Sequence, residues 1–262
     1  MGLIHRHDSR PPSGGVILII LLFVLVPAII GIGIGLYYSF SRTIPSIAEL
    51  RQGPEAPGTK VYADDDTLIG EIKPSQGVYV KLSDISPQMI NAVVAVEDES
   101  FWRHGGIDYL AILRAAFIDI TKGHLKEGGS TITQQLAKNT LLSSEKTITR
   151  KIKELILARR IEQSMSKEEI LEYYLNKVYL GSGAYGVQMA SHAYFNKDAK
   201  HLTLPEAAMI AGLLKAPSTF SPFNDIERSR ARQQTVLQRM EEVGFITRRQ
   251  RVEAEQSPVS LS

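Results

Sequence analysis

Cysteine is absent from all 262 residues, so disulfides, thiolate metal sites and a thiol nucleophile are excluded outright. An excess of one charge is also missing. Lys and Arg number 30 against 28 Asp and Glu, the formal net charge is +2, and no run of cations forms a polybasic tract, so nucleic acid is not an expected partner. Low-complexity tracts and repeats of solenoid period are lacking as well. What remains is a globular composition, 44% hydrophobic and 22% charged, long enough for one substantial core or one core with a small appendage.

The long apolar run lies near the N-terminus. Val16 to Tyr38 carries no charge, and at ~1.5 Å rise per residue it can cross a hydrocarbon layer of roughly 30 Å. A cleaved signal peptide is the rival reading, but its apolar core is usually shorter and followed by a small-x-small site, whereas this run continues to Tyr37, Tyr38 and Phe40 at an interface. Arg6 and Arg10, with His5 and His7, precede it; the positive-inside rule then predicts a cytoplasmic N-terminus and an extracytoplasmic remainder, an asymmetry diluted by Arg42 and Arg51. Gly31 and Gly35 form a small-xxx-small pair of the kind common in membrane spans.

The expected organisation is a cytoplasmic tail over 1–15, a transmembrane helix over 16–38, a juxtamembrane linker over 39–58, a small β appendage over 59–82, a main domain over 83–245, and a segment over 246–262 that is either a C-terminal tail or the start of a truncated following region. The linker is punctuated by Pro45, Gly53, Pro54, Pro57 and Gly58. Lys60 to Ala63 and Thr67 to Ile72 read as strands either side of Asp64, Asp65 and Asp66, and Val78 to Leu82 as a third, giving a hairpin or a three-stranded unit. The three Asp lack EF-hand spacing and read as a solvated turn.

From Ser86 onward helix follows helix, so the main domain is predicted mainly α. Ser86 and Pro87 open one, Tyr109 to Thr121 is amphipathic, Ser130 to Leu142 follows a Gly-Gly break, and Thr149 to Ser164 carries Ile152, Leu155 and Ile156 on one face. Ser166 with Glu169 makes a capping box, and Thr203 with Glu206 repeats it before a helix to Leu214. Gly181, Gly183 and Gly186 mark a loop, a last helix spans about Asp225 to Val243, and the tail after Gln256 reads as frayed.

Three stretches bear on chemistry. Ile90, Val93 and Val94 recur on one helical face, and Glu97 falls next on that stripe. A carboxylate in an apolar position has a raised pKa and can serve as a base near neutral pH; the alternative is a helix end that points to water. In KEGGSTITQQLAKN, Gly128 and Gly129 precede Ser130 as a helix cap, a ready place for an anionic group, and Thr131, Gln135 and Lys138 make a polar stripe that could equally be an ordinary solvent face. In TRKIKE, Glu154 can be held between Arg150 and Lys151, in a functional cluster or in surface ion pairs of little weight. Paired carboxylates with cations would suit attack by a sugar hydroxyl on a glycosyl pyrophosphate, if Glu97 and Glu154 converge.

EDESFWRHGGID at Glu97 to Asp108, GGSTITQQLAKN at Gly128 to Asn139, RKIKE at Arg150 to Glu154 and KEEILEYYLN at Lys167 to Asn176 together resemble the successive motifs of the peptidoglycan glycosyltransferases, the N-terminal domains of class A penicillin-binding proteins and the monofunctional transglycosylases. The likeness runs from roughly Ser83 to Met240. It implies a lysozyme-like, mainly helical domain that polymerises lipid II into β-1,4-linked glycan with inversion and releases undecaprenyl pyrophosphate. It implies Glu97 as general base and Glu154 as second essential acid, with Asp98, Phe101 and His104 shaping the cleft and Ser130, Thr131, Gln135, Lys138, Arg150, Lys151 and Lys215 on the substrate side. No organic cofactor or protein-bound metal site is expected, although a divalent cation (Mg or Mn) at the pyrophosphate is compatible with the chemistry. Partners would be lipid II, the growing glycan, the membrane and other cell-wall synthesis proteins, with the enzyme single-pass in the bacterial cell membrane.

The sequence departs from the family pattern in places. Arg232 and Gln233 stand where two arginines are common, so Arg232 is read as structural support, and Leu180 replaces a common aromatic. The SMSK at Ser164 to Lys167 reads as a helix cap rather than a transpeptidase nucleophile. The hairpin-like segment is nearer to the class A proteins, so a truncated bifunctional protein is an open expectation. A lysozyme-like hydrolase and a non-catalytic scaffold are the alternatives in other function classes.

Overall fold

The computed structural model describes residues 14–42, 44, 59–65, 67–72, 78–112, 129–141 and 147–262. The tail over 1–13, most of the linker, Gly128 and the greater part of the expected Tyr109–Thr121 helix lie outside the described residues; 109–112 are helical. The chain divides into two units, 1–44 and 45–262.

The first unit is helix α1, Gly14–Ser41, which exceeds the predicted span at both ends. Its window Phe23–Phe40 has a mean hydropathy of 2.0 and no buried residue among those described, and the helix is long and apolar enough to cross a membrane. Pro27 lies inside it.

In the second unit, β1 (Thr59–Tyr62) and β2 (Leu68–Ile72) pair antiparallel, Thr59 opposite Ile72 and Lys60 opposite Glu71, with a register irregularity between Val61 and Tyr62. Asp65 turns the chain by accepting from Thr67 N at 3.0 Å, which fits a solvated turn. The third strand does not form. Val80 bonds instead with the carboxamide of Asn176, its N–H donating to Oδ1 at 2.9 Å and its carbonyl accepting from Nδ2 at 2.8 Å. Glu172 accepts from Leu82 N and from the Tyr79 hydroxyl, both at 2.7 Å, and a 3₁₀ turn follows at Leu82–Asp84. Side chains thus satisfy the backbone groups that a ladder would have used.

Among the described residues, besides the helical 109–112, the helices of the main body are α2 (Pro87–Glu97), α3 (Ile132–Leu141), α4 (Ile148–Ser164), α5 (Lys167–Lys177), α6 (Val187–Phe195), α7 (Leu204–Leu213), α8 (Pro217–Phe220), α9 (Ile226–Glu242) and α10 (Arg248–Gln256). Helix α7 has no polar face apart from Glu206, and every residue from Pro205 to Leu213 is buried. A helix apolar all round belongs at the centre of a core, and α2 and α9 pack on it and on each other. Helix α3 packs on α4 and α5 to make the other half. The body is mainly α, as expected.

Caps set the boundaries. Ser86 accepts from Gln88 N, Thr147 from Arg150 N and Asp225 from Arg228 N, while Ser166/Glu169 and Thr203/Glu206 form the predicted capping boxes. Two expectations are corrected. Helix α3 is capped by Thr131, whose Oγ1 accepts from Gln134 N at 3.2 Å, because the Ser130 hydroxyl is taken by Lys151. The end after Gln256, read as frayed, is tied down by Ser262 N donating to Tyr194 O at 2.8 Å, and it follows α10, which is capped by a Thr247/Gln250 box and packed on α9. Its apolar signal is small, Ala254 being its buried residue.

Gly186 precedes α6 at φ 83°, ψ 156°, a region closed to other residues, and a Cβ there would stand 2.6 Å from the Asn176 carbonyl oxygen. Gly186→Ala is expected to destabilise the protein by about 2 kcal/mol, read as a lowered thermal midpoint. An unchanged midpoint would contradict this account.

Candidate active site

The two helical halves meet at the end of α2. Leaving that helix, Asp98 is buried, and its carboxylate accepts from His104 Nε2 at 2.8 and 2.9 Å and from Ile132 N, at the head of α3, at 3.0 Å. Gly106 N donates to His104 Nδ1 at 3.2 Å, which fixes the imidazole proton on Nε2, facing Asp98. Phe101 is fully buried, edge-on to Trp102 and His104, with Lys167 Nζ 4.4 Å from its ring centroid. Phe101 and His104 therefore support the cleft from behind. The anion-friendly end of α3 is held by a buried acid of the adjoining turn.

In front of this support lies a cavity of about 790 Å³ lined by Glu97, Asp98, Glu99, Ser100, Asp108, Gly129, Ser130, Thr131, Lys215, Arg232, Arg239 and Glu242 among others. Glu97, half-buried, accepts from Gln135 Nε2 at 2.5 Å. Burial pushes its carboxyl above the ordinary carboxylate range, opposed by the Gln135 hydrogen bond and by the charge of Arg232 and assisted by Asp98. Burial lowers the Arg232 guanidinium and the charge of Glu97 raises it again.

The predicted substrate side is only partly assembled around this cavity. Ser130, Thr131 and Lys215 line it, and Gln135 touches Glu97. Thr131 is buried, its hydroxyl donating to Gly106 O at 2.7 Å. Glu154 is buried on α4 and pairs with Arg150 and, at 3.0 Å, with Lys151 Nζ. None of the three lines the cavity. Lys151 reaches it indirectly, donating to Ser130 Oγ at 2.8 Å and Gln134 Oε1 at 3.3 Å. Lys138 is exposed on the last turn of α3 and is not among the lining residues.

Two cations were not read as site residues. Arg232, expected to be structural support, lines the cavity, and its Nε donates to Gly212 O at 3.4 Å. Arg239 lines it too, paired with Glu99 and, at 3.0 Å, with Glu242. Arg232, Thr235, Arg239 and Glu242 recur on one face of α9 and also line an adjoining cavity of about 320 Å³. That helical stripe was the available sequence signal.

Asp98, Glu99, Asp108 and Glu242 are engaged by protein donors, Asp108 by Ser100 and by Ala111 N at 2.8 Å. Among the described residues no three acids or histidines are grouped as a metal cage.

A helical body with a half-buried acid and cations around one cleft agrees with the lysozyme-like, mainly helical domain that the resemblance implied. Residues 65–241 match the transglycosylase family, and the chain belongs to it. It is 47% identical over 216 residues to penicillin-binding protein 1A of Escherichia coli (strain K12), covering 82% of this chain and 25% of that protein. It is 43% identical over 242 residues to penicillin-binding protein 1A of Vibrio cholerae, covering 92% and 29%. A crystal structure of penicillin-binding protein 1A from Haemophilus influenzae is 30% identical, covers 78% of this chain and 21% of that one, and superposes with a TM-score of 0.45. The chain thus spans roughly a quarter of the length of these curated relatives.

Proposed function

We propose that the chain is a membrane-anchored peptidoglycan glycosyltransferase that extends a glycan carried on undecaprenyl pyrophosphate by one lipid II unit at a time. The observation that carries this reading is the placing of Glu97, whose pKa is raised by burial, in a cleft of about 790 Å³ that it shares with Lys215, Arg232 and Arg239. A carboxylate whose pKa is raised is a better proton acceptor than a free one. The acceptor 4-hydroxyl gives its proton to Glu97 as its oxygen attacks C1 of the donor sugar. The C1–O bond to pyrophosphate breaks on the opposite face, inverting the anomeric centre, and the bonding pair leaves with the lipid pyrophosphate.

Charge developing on that leaving group needs fixed cations in a water-poor site. On one side stand Ser130 and, behind it, Lys151, which Arg150 accompanies on Glu154; we assign the donor pyrophosphate there. On the other, Arg232, Arg239 and Lys215 supply charge for the anionic groups of the acceptor. No step passes through a metal. Membrane anchoring by α1 would hold the enzyme on the surface that carries both lipid substrates, with the N-terminus cytoplasmic, the catalytic body outside, and cell-wall synthesis proteins as neighbours.

The test is polymerisation of labelled lipid II by the detergent-solubilised chain, with products separated by length. A ladder of glycan is expected. Shortening of preformed glycan without polymerisation would establish a hydrolase, and lipid II binding without either reaction would leave a scaffold.

A further inference from the structure

Tyr174 takes no part in the chemistry above, yet it is one of the largest fully buried side chains and sits behind the base. Its hydroxyl, on α5, donates to Gln135 Oε1 at 3.1 Å, and Gln135 Nε2, on α3, donates to Glu97 Oε2 at 2.5 Å. Three helices are thus joined in one line of hydrogen bonds. A carboxamide has one accepting and one donating end, and a flip exchanges them. Were Gln135 flipped, its oxygen would face the Glu97 carboxylate and two acceptors would confront each other. Burial, with the nearby Glu97 and Asp98, raises the Tyr174 phenol far above its ordinary value, so the phenol keeps its proton and remains a donor.

We propose that Tyr174 is a positioning residue for the base: by donating to Gln135 it locks the carboxamide with its amino group on Glu97, and so keeps that carboxylate oriented and ionised. This rests on the reading of Glu97 as the general base. The other groups that face Glu97 are Arg232 from α9 and Asp98 next in the chain, with Glu99, Asp108, Lys215, Arg239 and Glu242 around the same cavity. A Phe at position 174 changes none of these charges.

The experiment is the pH profile of lipid II polymerisation for wild type, Tyr174→Phe, Gln135→Leu and the double variant, with a 13C-carboxyl titration of Glu97 on the same proteins. Tyr174→Phe is expected to lower kcat about tenfold at mildly acidic pH, to change KM less than about twofold, and to move the acid limb of kcat/KM to higher pH. In the Gln135→Leu background it should add nothing, since the carboxamide it orients is gone. A limb that stays in place, or equal effects in both backgrounds, would overturn the proposal, because a purely structural tyrosine would act that way. The carboxyl titration reads the same shift without turnover, so it decides the matter even if Glu97→Gln proves active and the base reading falls. Should Tyr174→Phe not fold, a fluorinated tyrosine at position 174, a stronger donor of nearly the same size, is expected to move the limb to lower pH. No movement would again overturn the proposal.

Discussion

Glu97→Gln is expected to lower lipid II polymerisation about 10³-fold in kcat with little change in KM. The substitution keeps the shape and can still accept from Gln135 Nε2, so it removes proton-accepting capacity and leaves the packing. The pH dependence carries the same signature. Because burial raises the folded carboxyl, the acid limb of kcat/KM in the wild type should lie above the ordinary value of 4.5, with activity gained as pH rises through it. Stability should run the other way. A carboxyl whose folded pKa is raised binds more protons folded than unfolded, so its contribution to stability is fully present below the unfolded value and is lost as pH rises from there through the raised folded value. Glu97→Gln should therefore be as stable as wild type at pH 7, or more so, while nearly inactive. A variant that polymerises within tenfold of wild type would remove Glu97 from the chemistry.

The second large effect is expected from Glu154→Gln, which should reduce kcat/KM about 10²-fold, close to 3 kcal/mol of transition-state stabilisation. Glu154 does not line the cleft, and its action is through cations. It is buried, pairs with Arg150 and holds Lys151 Nζ at 3.0 Å, while the same ammonium donates to Ser130 Oγ on the cavity wall. Removing the buried carboxylate takes away the contact that both cations share, so both should shift. Lys151→Ala should cost less, about tenfold, and the Glu154→Gln/Lys151→Ala pair should be markedly less than multiplicative because both act through one contact. Fully multiplicative effects in the kinetic cycle would show that Glu154 works by a route independent of Lys151. The acid limb set by Glu97 should stay in place in these variants, which separates them from the Tyr174 series.

Much of the fold was legible because its signals are local. Ser166 with Glu169 and Thr203 with Glu206 announce helix starts by hydrogen bonds that span a single turn, and the structure contains both boxes. Helix α10 carries an equivalent Thr247/Gln250 signal, overlooked because so polar a helix offers almost no apolar stripe. The missing third strand had the opposite cause. Val78 to Leu82 has strand-like residues, but its partner is the side chain of Asn176, far along the chain, and no local pattern announces that.

The candidate site divides along the same line. By itself the sequence determined the apolar span, the helical class, the motif order that marks the family, and Glu97 on the core stripe of α2, each a matter of spacing within one element. Which cations meet that acid was decided only by tertiary structure. Packing of α2 and α9 on α7 brings Arg232 and Arg239 to the cavity, while Lys138, on a helix next to the acid, is left exposed outside its lining. Helical periodicity fixes the face a residue occupies, and only the crossing of helices fixes what that face meets.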